Sequence, residues 1–475
     1  MRNDIENLMK NCPRSESDQY WKEFNGFLDL FDRFLTKRSS EFQWERLQLN
    51  SNDSFIDYEK LPLPENDQIK SFLNKLVIIK LNGGLGTSMN CVGAKSLLFV
   101  RNECTFLDLI VQQIIKLNNE YDVDVPLVFM NSFNTHEDTL IALEKYRNFR
   151  IKIFNFNQSQ YPRIHALNYK LVTEAYNDEK KHAWYPPGHG DFYKSFYHSG
   201  LLQAFIKEGK EICMVSNADN LGASVNFPLL KEMMLSNQNQ TIDCLVEVTP
   251  KTIADRKGGA VVKIGNKLHL VEVAQVPSEH MEVFQRGEHF NVFNTNNMWI
   301  RLDSILKLVV ERRYLSMDVI VNHKILKVNG EPEDIIQLET AMGSAINLFE
   351  CSIGVVVPRS RFLPVKTTSD FFLIKSNVYV LKNGTLLLNP LRRISYPPLI
   401  ELVGKHFTSY SQIKERFPEM PDCLNLLSLT VSGDIVFGKN IVLKGNVLIQ
   451  ANPGEKIDVP SNTVLDNCQV ITPYA

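Results

Sequence analysis

The chain has 475 residues, of which 44% are hydrophobic and 22% charged, proportions that are usual for a soluble globular protein and exclude a largely disordered one. Its 52 Lys and Arg residues nearly balance 54 Asp and Glu residues, so no overall field would draw it to nucleic acid or to anionic lipid. Because single hydrophobic cores stop growing near about 250–300 residues, we expect two or three structural units.

The cysteines and the apolar runs indicate the compartment. The 8 Cys residues lie far apart and form no Cys-x-x-Cys pair, which argues against a zinc site or a disulfide framework. The N-terminus lacks the apolar segment of a secretory signal, and no apolar run approaches the roughly 18 residues that a membrane span needs. These features predict a soluble, cytoplasmic protein without a nucleic-acid or membrane partner.

The first part of the chain has the pattern of a helix. Between Trp21 and Leu35, apolar residues recur at intervals of three and four, which places them on one helix face. The other face carries charges of both signs, which favours a helix docked on the main domain over a membrane-binding or partner-binding helix. We therefore predict an N-terminal helical segment over residues 1–60.

From Leu76 onward, short β-rich runs alternate with helical stretches, the pattern of an α/β domain with a mainly parallel sheet. One helix is predicted at Phe106–Leu117, and the N-cap sequence Thr135–Asp138 is predicted to open another. The predicted strands are Leu76–Ile79, Pro126–Met130, Ile151–Phe156, Glu211–Val215 and Cys244–Val248. We assign residues 61–390 to this domain and expect its ligands beyond the carboxyl ends of the strands.

A repeat of six residues marks the C-terminal part of the chain, residues 391–475. Two series of apolar residues carry it: Leu429, Ile435, Ile441 and Val447, and Val431, Phe437, Leu443 and Ile449. This period is typical of a parallel β-helix, in which each rung buries its side chains against the next. An antiparallel meander is the alternative, because only about three rungs are visible.

A glycine-rich segment, Lys80–Met89, follows the first predicted strand. Its glycines let the backbone approach a ligand, and free N–H groups there form a concavity suited to phosphate. Lys95, shortly after, is a mobile cation that can neutralise a polyphosphate. Met89 occupies the place of the third Gly in a dinucleotide fingerprint, and Gly93–Ser96 breaks the Walker order, so NAD chemistry and P-loop hydrolysis are disfavoured. We predict a nucleotide site.

Further motifs follow in order from about residue 76 to about residue 450. They are Met130–Thr135, Phe156–Arg163, Pro186–Asp191, Ser216–Gly222, Phe293–Asn297 and Pro358–Thr368. With the glycine-rich segment, this set resembles the eukaryotic-type UTP–glucose-1-phosphate uridylyltransferase (UDP-glucose pyrophosphorylase) family. The resemblance implies a mixed, mainly parallel nucleotide-diphospho-sugar transferase core with a left-handed β-helix-like C-terminal domain. It also implies that UTP and glucose 1-phosphate are converted to UDP-glucose and pyrophosphate.

The resemblance assigns roles to individual residues. Gln158 would read uracil, because its amide presents a donor beside an acceptor. Asp219 would hold Mg²⁺, and the catalytic cations Lys366 and Lys95 would grip the reacting phosphates. The further substrate contacts that it implies are Leu81, Asn82, Gly83, Gly84, Gly188, His189, Asn217, Glu272, Asn294 and Thr295. The attacking phosphate is already an anion, so we expect direct in-line displacement without a general base.

Two positions depart from the family pattern: Asn90 replaces a usual Gly, and Ala94 a usual Pro. Asn tolerates left-handed backbone, whereas Ala leaves the loop less rigid, so we expect at most weaker UTP binding.

Three alternatives stay open on sequence grounds. They are a related enzyme for another sugar phosphate, such as galactose 1-phosphate or N-acetylglucosamine 1-phosphate, a non-catalytic nucleotide-sugar sensor, and a β-helix acyltransferase. A sensor would be expected to lack Lys95, Asp219 or Lys366, and an acyltransferase to have more rungs. The tail is expected to pack on the core or to mediate self-association.

Overall fold

The computed structural model describes residues 18–36, 44, 55–86, 89, 93–101, 103–172, 183–235, 241–252, 258–286, 290–311, 315–328, 331–382 and 384–472. Parts of the predicted N-terminal segment, and Asn90 of the nucleotide loop, lie outside these ranges. The helices of the described residues are α1 (Asp18–Thr36), α2 (Asn66–Asn74), α3 (Phe106–Tyr121), α4 (His136–Leu143), α5 (Phe192–His198), α6 (Leu201–Lys207), α7 (Phe227–Met234), α8 (Met281–Arg286), α9 (Leu302–Glu311), α10 (Thr368–Lys375) and α11 (Tyr410–Arg416).

The strands of the described residues all follow α1 in the chain. They are β1 (Ile56–Asp57), β2 (Leu76–Leu81), β3 (Phe99–Arg101), β4 (Cys104–Thr105), β5 (Leu127–Asn131), β6 (Ile153–Asn157), β7 (Tyr161–Pro162), β8 (Ile164–His165), β9 (Trp184–Tyr185), β10 (Ile212–Asn217), β11 (Cys244–Pro250), β12 (Ala260–Ile264), β13 (Lys267–Val271), β14 (Val292–Arg301), β15 (Ile320–Val328), β16 (Glu331–Glu339), β17 (Ser352–Val356), β18 (Tyr379–Lys382), β19 (Thr385–Leu388), β20 (Leu399–Val403), β21 (Asp422–Ser432), β22 (Asp434–Phe437), β23 (Val442–Gln450), β24 (Lys456–Val459) and β25 (Val464–Ile471). The five predicted strands correspond to β2, β5, β6, β10 and β11, with ends shifted by one or two residues.

A central sheet of eight strands, in the order β1-β17-β11-β14-β10-β2-β5-β6, organises the molecule. Its strands are parallel except for β14, which runs antiparallel to both β10 and β11. The predicted α/β fold with a mainly parallel sheet is therefore confirmed.

Both faces of this sheet are covered, which explains the nearly continuous apolar runs of its strands. In β2, Val77 and Ile79 enter the core on one face, whereas Leu76 and Ile78 enter the core on the other. The predicted helix at residue 106 is α3, which begins with a reciprocal capping box between Thr105 and Asp108. Helix α4 also begins where predicted.

Helix α1 buries its aromatic face against β7 and β16, which lie outside the central sheet. Phe27 meets the ring of Tyr161 edge-on, with 5.8 Å between centroids. Gly26 lies so close to the Tyr161 hydroxyl that an added Cβ would overlap it. The helix therefore contacts the segment that directly follows β6.

The C-terminal strands stack in parallel. In the order β20-β21-β23-β25 each strand pairs in parallel with the next, and β22 pairs in parallel with β24. The eight residues of the six-residue repeat are all buried. Because the pairing is parallel, the antiparallel alternative is wrong. These strands share one apolar cluster with Val100 and Phe106 of the larger sheet domain.

The helices of the described residues include none with the length and apolar character needed to cross a lipid bilayer.

Candidate active site

The carboxyl ends of neighbouring parallel strands carry several of the residues expected to bind substrate. Leu81 ends β2, Asn131 ends β5, and Asn217 ends β10, while Gln158 comes directly after β6. Because β10, β2, β5 and β6 are consecutive neighbours in the sheet, these ends lie side by side. The sheet thus gathers residues that are far apart in the sequence.

Gln158 lies against the glycine-rich loop at one end of this row. An added Cβ on Gly83 would overlap Gln158 Nε2, so this position accepts no side chain without displacing the Gln158 amide. The Ser132 hydroxyl donates to Gly83 O at 2.8 Å, and Gln158 N–H donates to Asn131 O at 2.9 Å. Gln158 is 7% exposed, and its Oε1 has no hydrogen-bond partner among the described residues. The Gln158 side-chain amide therefore packs against Gly83, while its acceptor oxygen makes no hydrogen bond to the described residues.

The turn at Gly188 and His189 approaches Thr340. Gly188 has φ +82°, and an added Cβ there would lie 2.6 Å from Thr340 O, so both conformation and space require glycine. His189 Nδ1 accepts a hydrogen bond from Met342 N–H at 2.9 Å, which leaves the ring proton on Nε2. Burial lowers the pKa of His189 to about 4, and the charge of Lys366 contributes. His189 is therefore a neutral donor near pH 7.

Lys95 and Asp219 form an ion pair across the loop. Lys95 Nζ lies 2.7 Å from Asp219 Oδ2, and the two side chains are 12% and 20% exposed. Lys95 N–H also donates to Gly84 O at 3.3 Å, which ties the lysine to the glycine-rich loop. Two residues that the sequence placed near a polyphosphate therefore touch each other.

The loop that carries Lys366 lies against the segment that carries Asp219. Val365 N–H donates to Asp219 O at 3.3 Å, and the Lys366 backbone N–H donates to Asp370 Oδ2 at 2.9 Å. Burial raises the pKa of Glu272, and the nearby charge of Lys366 opposes that rise. Since Lys366 also acts on His189, its charge is near both of these predicted site residues.

A β-bulge between β11 and β14 lies on the remaining side of the candidate site. Opposite Glu247 and Val248 of β11, strand β14 carries extra residues, and Asn296 adopts φ +58°. The bulge lets Asn296 Nδ2 donate to Asn217 Oδ1 at 2.9 Å, while Asn296 Oδ1 is buried without a partner among the described residues. Asn294 Oδ1 accepts from Asn296 N–H at 3.1 Å. The bulge thus joins Asn217 to the Asn294 segment.

Two predicted site residues use their side chains for internal bonds. Asn82 Nδ2 donates to Asn131 Oδ1 at 2.8 Å and to Thr139 Oγ1 at 2.9 Å. The Thr295 hydroxyl donates to Glu247 O at 2.7 Å. Both side chains therefore brace the ends of strands, in contrast to the less enclosed Lys95 and Asp219.

Ala94, the departure from the usual Pro, has φ −57°. That value lies within the range that a proline ring imposes, so the loop adopts the same backbone angle without the ring.

Asp219 has the chemistry of a ligand for a divalent cation. No cluster of three His, Cys, Asp or Glu side chains suited to a metal occurs among the described residues. Asp219 Oδ1, however, is buried and has no hydrogen-bond partner among the residues that the structure describes. Mg²⁺ is commonly held by one or two carboxylates with substrate phosphates and water. The residues present therefore fit a cation that arrives with a triphosphate.

Two polar residues that organise the site, Asp191 and Asn220, have no role assigned on sequence grounds. Asp191 Oδ2 accepts from Ser159 N–H at 2.6 Å and from the Ser195 hydroxyl, so it joins the Gln158 segment to the His189 turn. Asn220 bonds to the loop of Lys366. Asp191 and Asn220 do lie within motifs that were noted, which was the available signal.

Arg361, one of three cations in the Arg359–Lys366 loop, points away from the site. It is 7% exposed and pairs with the fully buried Glu247, with Nε–Oε2 at 2.6 Å and Nη2–Oε1 at 2.7 Å. Trp299 Nε1 donates to the same carboxylate at 2.9 Å. This pair anchors the loop in the sheet.

Comparisons with known proteins identify the family of this chain. A family model described as UTP–glucose-1-phosphate uridylyltransferase matches residues 24–444. The protein of that name from Hordeum vulgare is 46% identical over 450 residues, 94% of this chain and 93% of the relative. The one from Saccharomyces cerevisiae is 43% identical over 475 residues, 99% of this chain and 93% of the relative.

Solved structures are similar over nearly the whole chain. A mutant of UDP-glucose pyrophosphorylase from Leishmania major in complex with UDP-glucose has a TM-score of 0.84 and 30% identity, covering 98% of this chain and 99% of that one. A UDP-glucose phosphorylase from Trypanosoma brucei has a TM-score of 0.79 and 34% identity, covering 94% of this chain and 95% of that one.

Proposed function

Since the chain belongs to the UTP–glucose-1-phosphate uridylyltransferase family, we propose that the residues at the carboxyl ends of β2, β5, β6 and β10 carry out that family's reaction here. The chain is an enzyme of this activity, which forms UDP-glucose and pyrophosphate from UTP and glucose 1-phosphate. The observation that carries the assignment of roles is the convergence of Lys95, Asp219 and the Lys366 loop.

Gln158 recognises uracil in this proposal. Its side chain can donate to a uracil carbonyl and accept from N3–H, a pattern that cytosine reverses. The buried Oε1 without a partner supports this role, because a buried acceptor left unpaired is costly. Gly83 and Gly188 line the nucleotide in this proposal, and a side chain on either would displace Gln158 or Thr340.

The triphosphate lies between the glycine-rich loop and Lys95. The backbone of residues 81–84 lines its path, and Asn217 and Asp219 face it from the end of β10. Asp219 would hold Mg²⁺ through the unpaired Oδ1, and the cation would neutralise part of the phosphate charge. When substrate binds, Lys95 exchanges its bond with Asp219 for one with a phosphate oxygen.

Glucose 1-phosphate is bound by residues near Lys366. Lys366 and the neutral His189 hold its phosphate, with His189 donating from Nε2. Glu272, Asn294 and Thr295 lie on the wall assigned to the sugar hydroxyls. The contact between Asn217 and Asn296 supports this placement, because it joins the nucleotide side of the site to the sugar side.

The reaction is a direct in-line displacement. A phosphate oxygen of glucose 1-phosphate attacks the α-phosphorus of UTP, and the bond from that phosphorus to the bridging oxygen of the β-phosphate breaks. The nucleophile is anionic at neutral pH, so no side chain has to remove a proton. Lys366 and Lys95 reduce the repulsion between the two anions and stabilise the charge on departing pyrophosphate.

We also propose the division into an N-terminal segment (1–60), a catalytic domain (61–390) and a left-handed β-helix-like domain (391–475). Parallel stacking of β20, β21, β23 and β25 supports the β-helix. Cytoplasmic location and self-association through the C-terminal strands complete the proposal. Dispersed Cys residues without pairs support the first, and exposed apolar side chains such as Val403 and Val464 support the second.

A rate assay with a matched variant tests the assigned roles. The protein is incubated with UTP, Mg²⁺ and glucose 1-phosphate, and UDP-glucose and pyrophosphate are followed. Lys366→Ala is expected to slow turnover by about 100-fold or more. Lys382→Ala, on β18 and outside the site, should leave the rate unchanged. A folded Lys366→Ala protein with a normal rate would refute the role of Lys366, and faster turnover with another sugar phosphate would refute the sugar assignment.

A further inference from the structure

Asn220 lies between the two segments that carry Asp219 and Lys366, and its side chain is 1% exposed. Its Oδ1 accepts from Leu363 N–H at 2.8 Å and from Gly222 N–H at 3.2 Å. Its Nδ2 donates to Asn297 Oδ1 at 3.1 Å and to Arg361 O at 3.3 Å. All four hydrogen-bonding positions of the amide are therefore occupied.

These bonds fasten the loop of Lys366 at several points in sequence. Leu363 and Arg361 are bonded by Asn220 itself, and Val365 N–H is bonded by Asp219 O at 3.3 Å. The loop can approach so closely because residue 222 is glycine, where an added Cβ would lie 2.6 Å from Ser360 O. These hydrogen bonds to the backbone of the loop therefore fix the Lys366 loop relative to Asp219.

The Asn220 side-chain amide is also bonded to the central sheet. Its partner Asn297 donates to Glu247 Oε2 at 3.3 Å, and Glu247 holds Arg361 of the same loop. Both Asn297 and Glu247 belong to the central sheet and are fully buried. The central sheet therefore positions the Lys366 loop in two connected ways. One is the pair of Glu247 and Arg361, and the other is the bond between Asn297 and Asn220, the residue next to Asp219.

We propose that Asn220 is a positioning residue that acts through Lys366, by fixing the Lys366 loop relative to Asp219. This inference rests on the proposed function, in which Lys366 grips the reacting phosphates. Asn220 does not touch substrate. Its loss moves the lysine away from the phosphate and lowers the rate of the chemical step while UTP binding, which depends on Gln158 and the glycine-rich loop, is retained.

The test uses Asn220→Asp, which keeps the shape and the acceptor but turns the donor atom into an oxygen facing Asn297 Oδ1 and Arg361 O. We expect kcat to fall about 10- to 100-fold, with KM for UTP changed less than about 3-fold. Asn389→Asp is the matched control, since Asn389 is also a buried amide that joins two segments, donating to Asn377 O at 2.8 Å. It should lower the melting temperature without lowering kcat.

A double variant separates positioning from a general loss of structure. In the Lys366→Ala background, Asn220→Asp should cause no further fall in kcat, because the group that it positions is already absent. Asn220→Ser, which can keep the local bond to Gly222 but cannot reach Leu363, gives the same readout if the Asp variant fails to fold.

Two outcomes overturn the inference: normal kcat in a folded Asn220 variant, or a double variant slower by the product of the single effects. A normal rate for Lys366→Ala alone would instead overturn the proposed role of Lys366.

Discussion

Lys95 Nζ and Asp219 Oδ2 lie 2.7 Å apart, so this cation and this carboxylate neutralise each other. This pair keeps both side chains oriented towards the loop. In the proposed function, UTP and a divalent cation would supply a new partner for each member, so the exchange would be nearly balanced in charge.

Asp219→Asn tests the carboxylate. The amide has almost the same shape but carries no charge, so we expect kcat to fall by roughly 10²- to 10³-fold, because charge on the phosphates is no longer offset. Initial rates measured over a range of Mg²⁺ concentrations check this. Asp434→Asn is the control: it removes a carboxylate that pairs with Arg416 at 2.6 Å in the C-terminal strands, and it should retain full activity. Equal rates for the two variants would contradict the assignment.

Gln158→Glu tests base recognition. The carboxylate loses the donor that would face a uracil carbonyl, so we expect KM for UTP to rise about 10- to 100-fold and the preference for UTP over CTP to decrease. Initial rates with each nucleotide measure the effect. Gln412→Glu serves as the control, since a Glu oxygen can still accept from Ser409 N–H in the capping box of α11 and only the exposed bond from Nε2 to Lys405 O is lost. An unchanged preference for UTP in Gln158→Glu would show that Gln158 does not recognise the base.

His189 predicts a specific dependence of stability on pH. Its pKa is lowered from 6.5 to about 4, chiefly by burial, so between these values the unfolded chain binds a proton that the folded chain does not. Its contribution to stability is complete above about pH 6.5 and falls as the pH drops towards 4, by at most about 1.4 kcal/mol per pH unit.

Urea unfolding of the wild type and of His189→Gln at pH 7.5 and pH 5 measures that contribution. The loss of unfolding free energy between the two pH values should be smaller in His189→Gln. His323→Gln, which replaces a 59% exposed ring, should behave as the wild type. An identical loss in all three proteins would show that His189 titrates normally.

Gly26→Ala tests the contact between α1 and the segment after β6. Ala usually stabilises a helix by about 1 kcal/mol relative to Gly, but here its methyl group would displace the Tyr161 hydroxyl. We expect a lower melting temperature and a higher KM for UTP, since Tyr161 closely follows Gln158. Asn25→Ala, at the exposed neighbouring position, should be neutral or slightly stabilising. A Gly26→Ala protein as stable as Asn25→Ala would show that α1 does not constrain Tyr161.

Much of the fold could be predicted because its determinants are local. Strand β2 is a short apolar run followed by glycines, and α3 carries a capping box next to a periodic face. Thr135 is the N-cap residue of α4, as predicted, but its side chain makes no capping hydrogen bond to the helix. The Thr135 hydroxyl instead accepts from Ser132 N–H.

The contacts that organise the site could not be predicted in the same way. Asn220 and Arg361 are separated by 141 residues, and Glu247 and Arg361 by 114 residues. No periodicity or spacing in one sequence indicates which partner such a side chain meets. The Arg359–Lys366 loop carries three cations, and nothing in its local sequence indicates that Arg361 turns inward to Glu247.

The apolar cluster that joins Val100 and Phe106 to the C-terminal strands makes those strands part of the same cooperative unit as the nucleotide loop. A premature stop codon after β19 would leave an open hydrophobic surface beside α3, and the shortened chain should aggregate. On heating the intact chain, calorimetry should record the tail and the α3 region unfolding in a single transition.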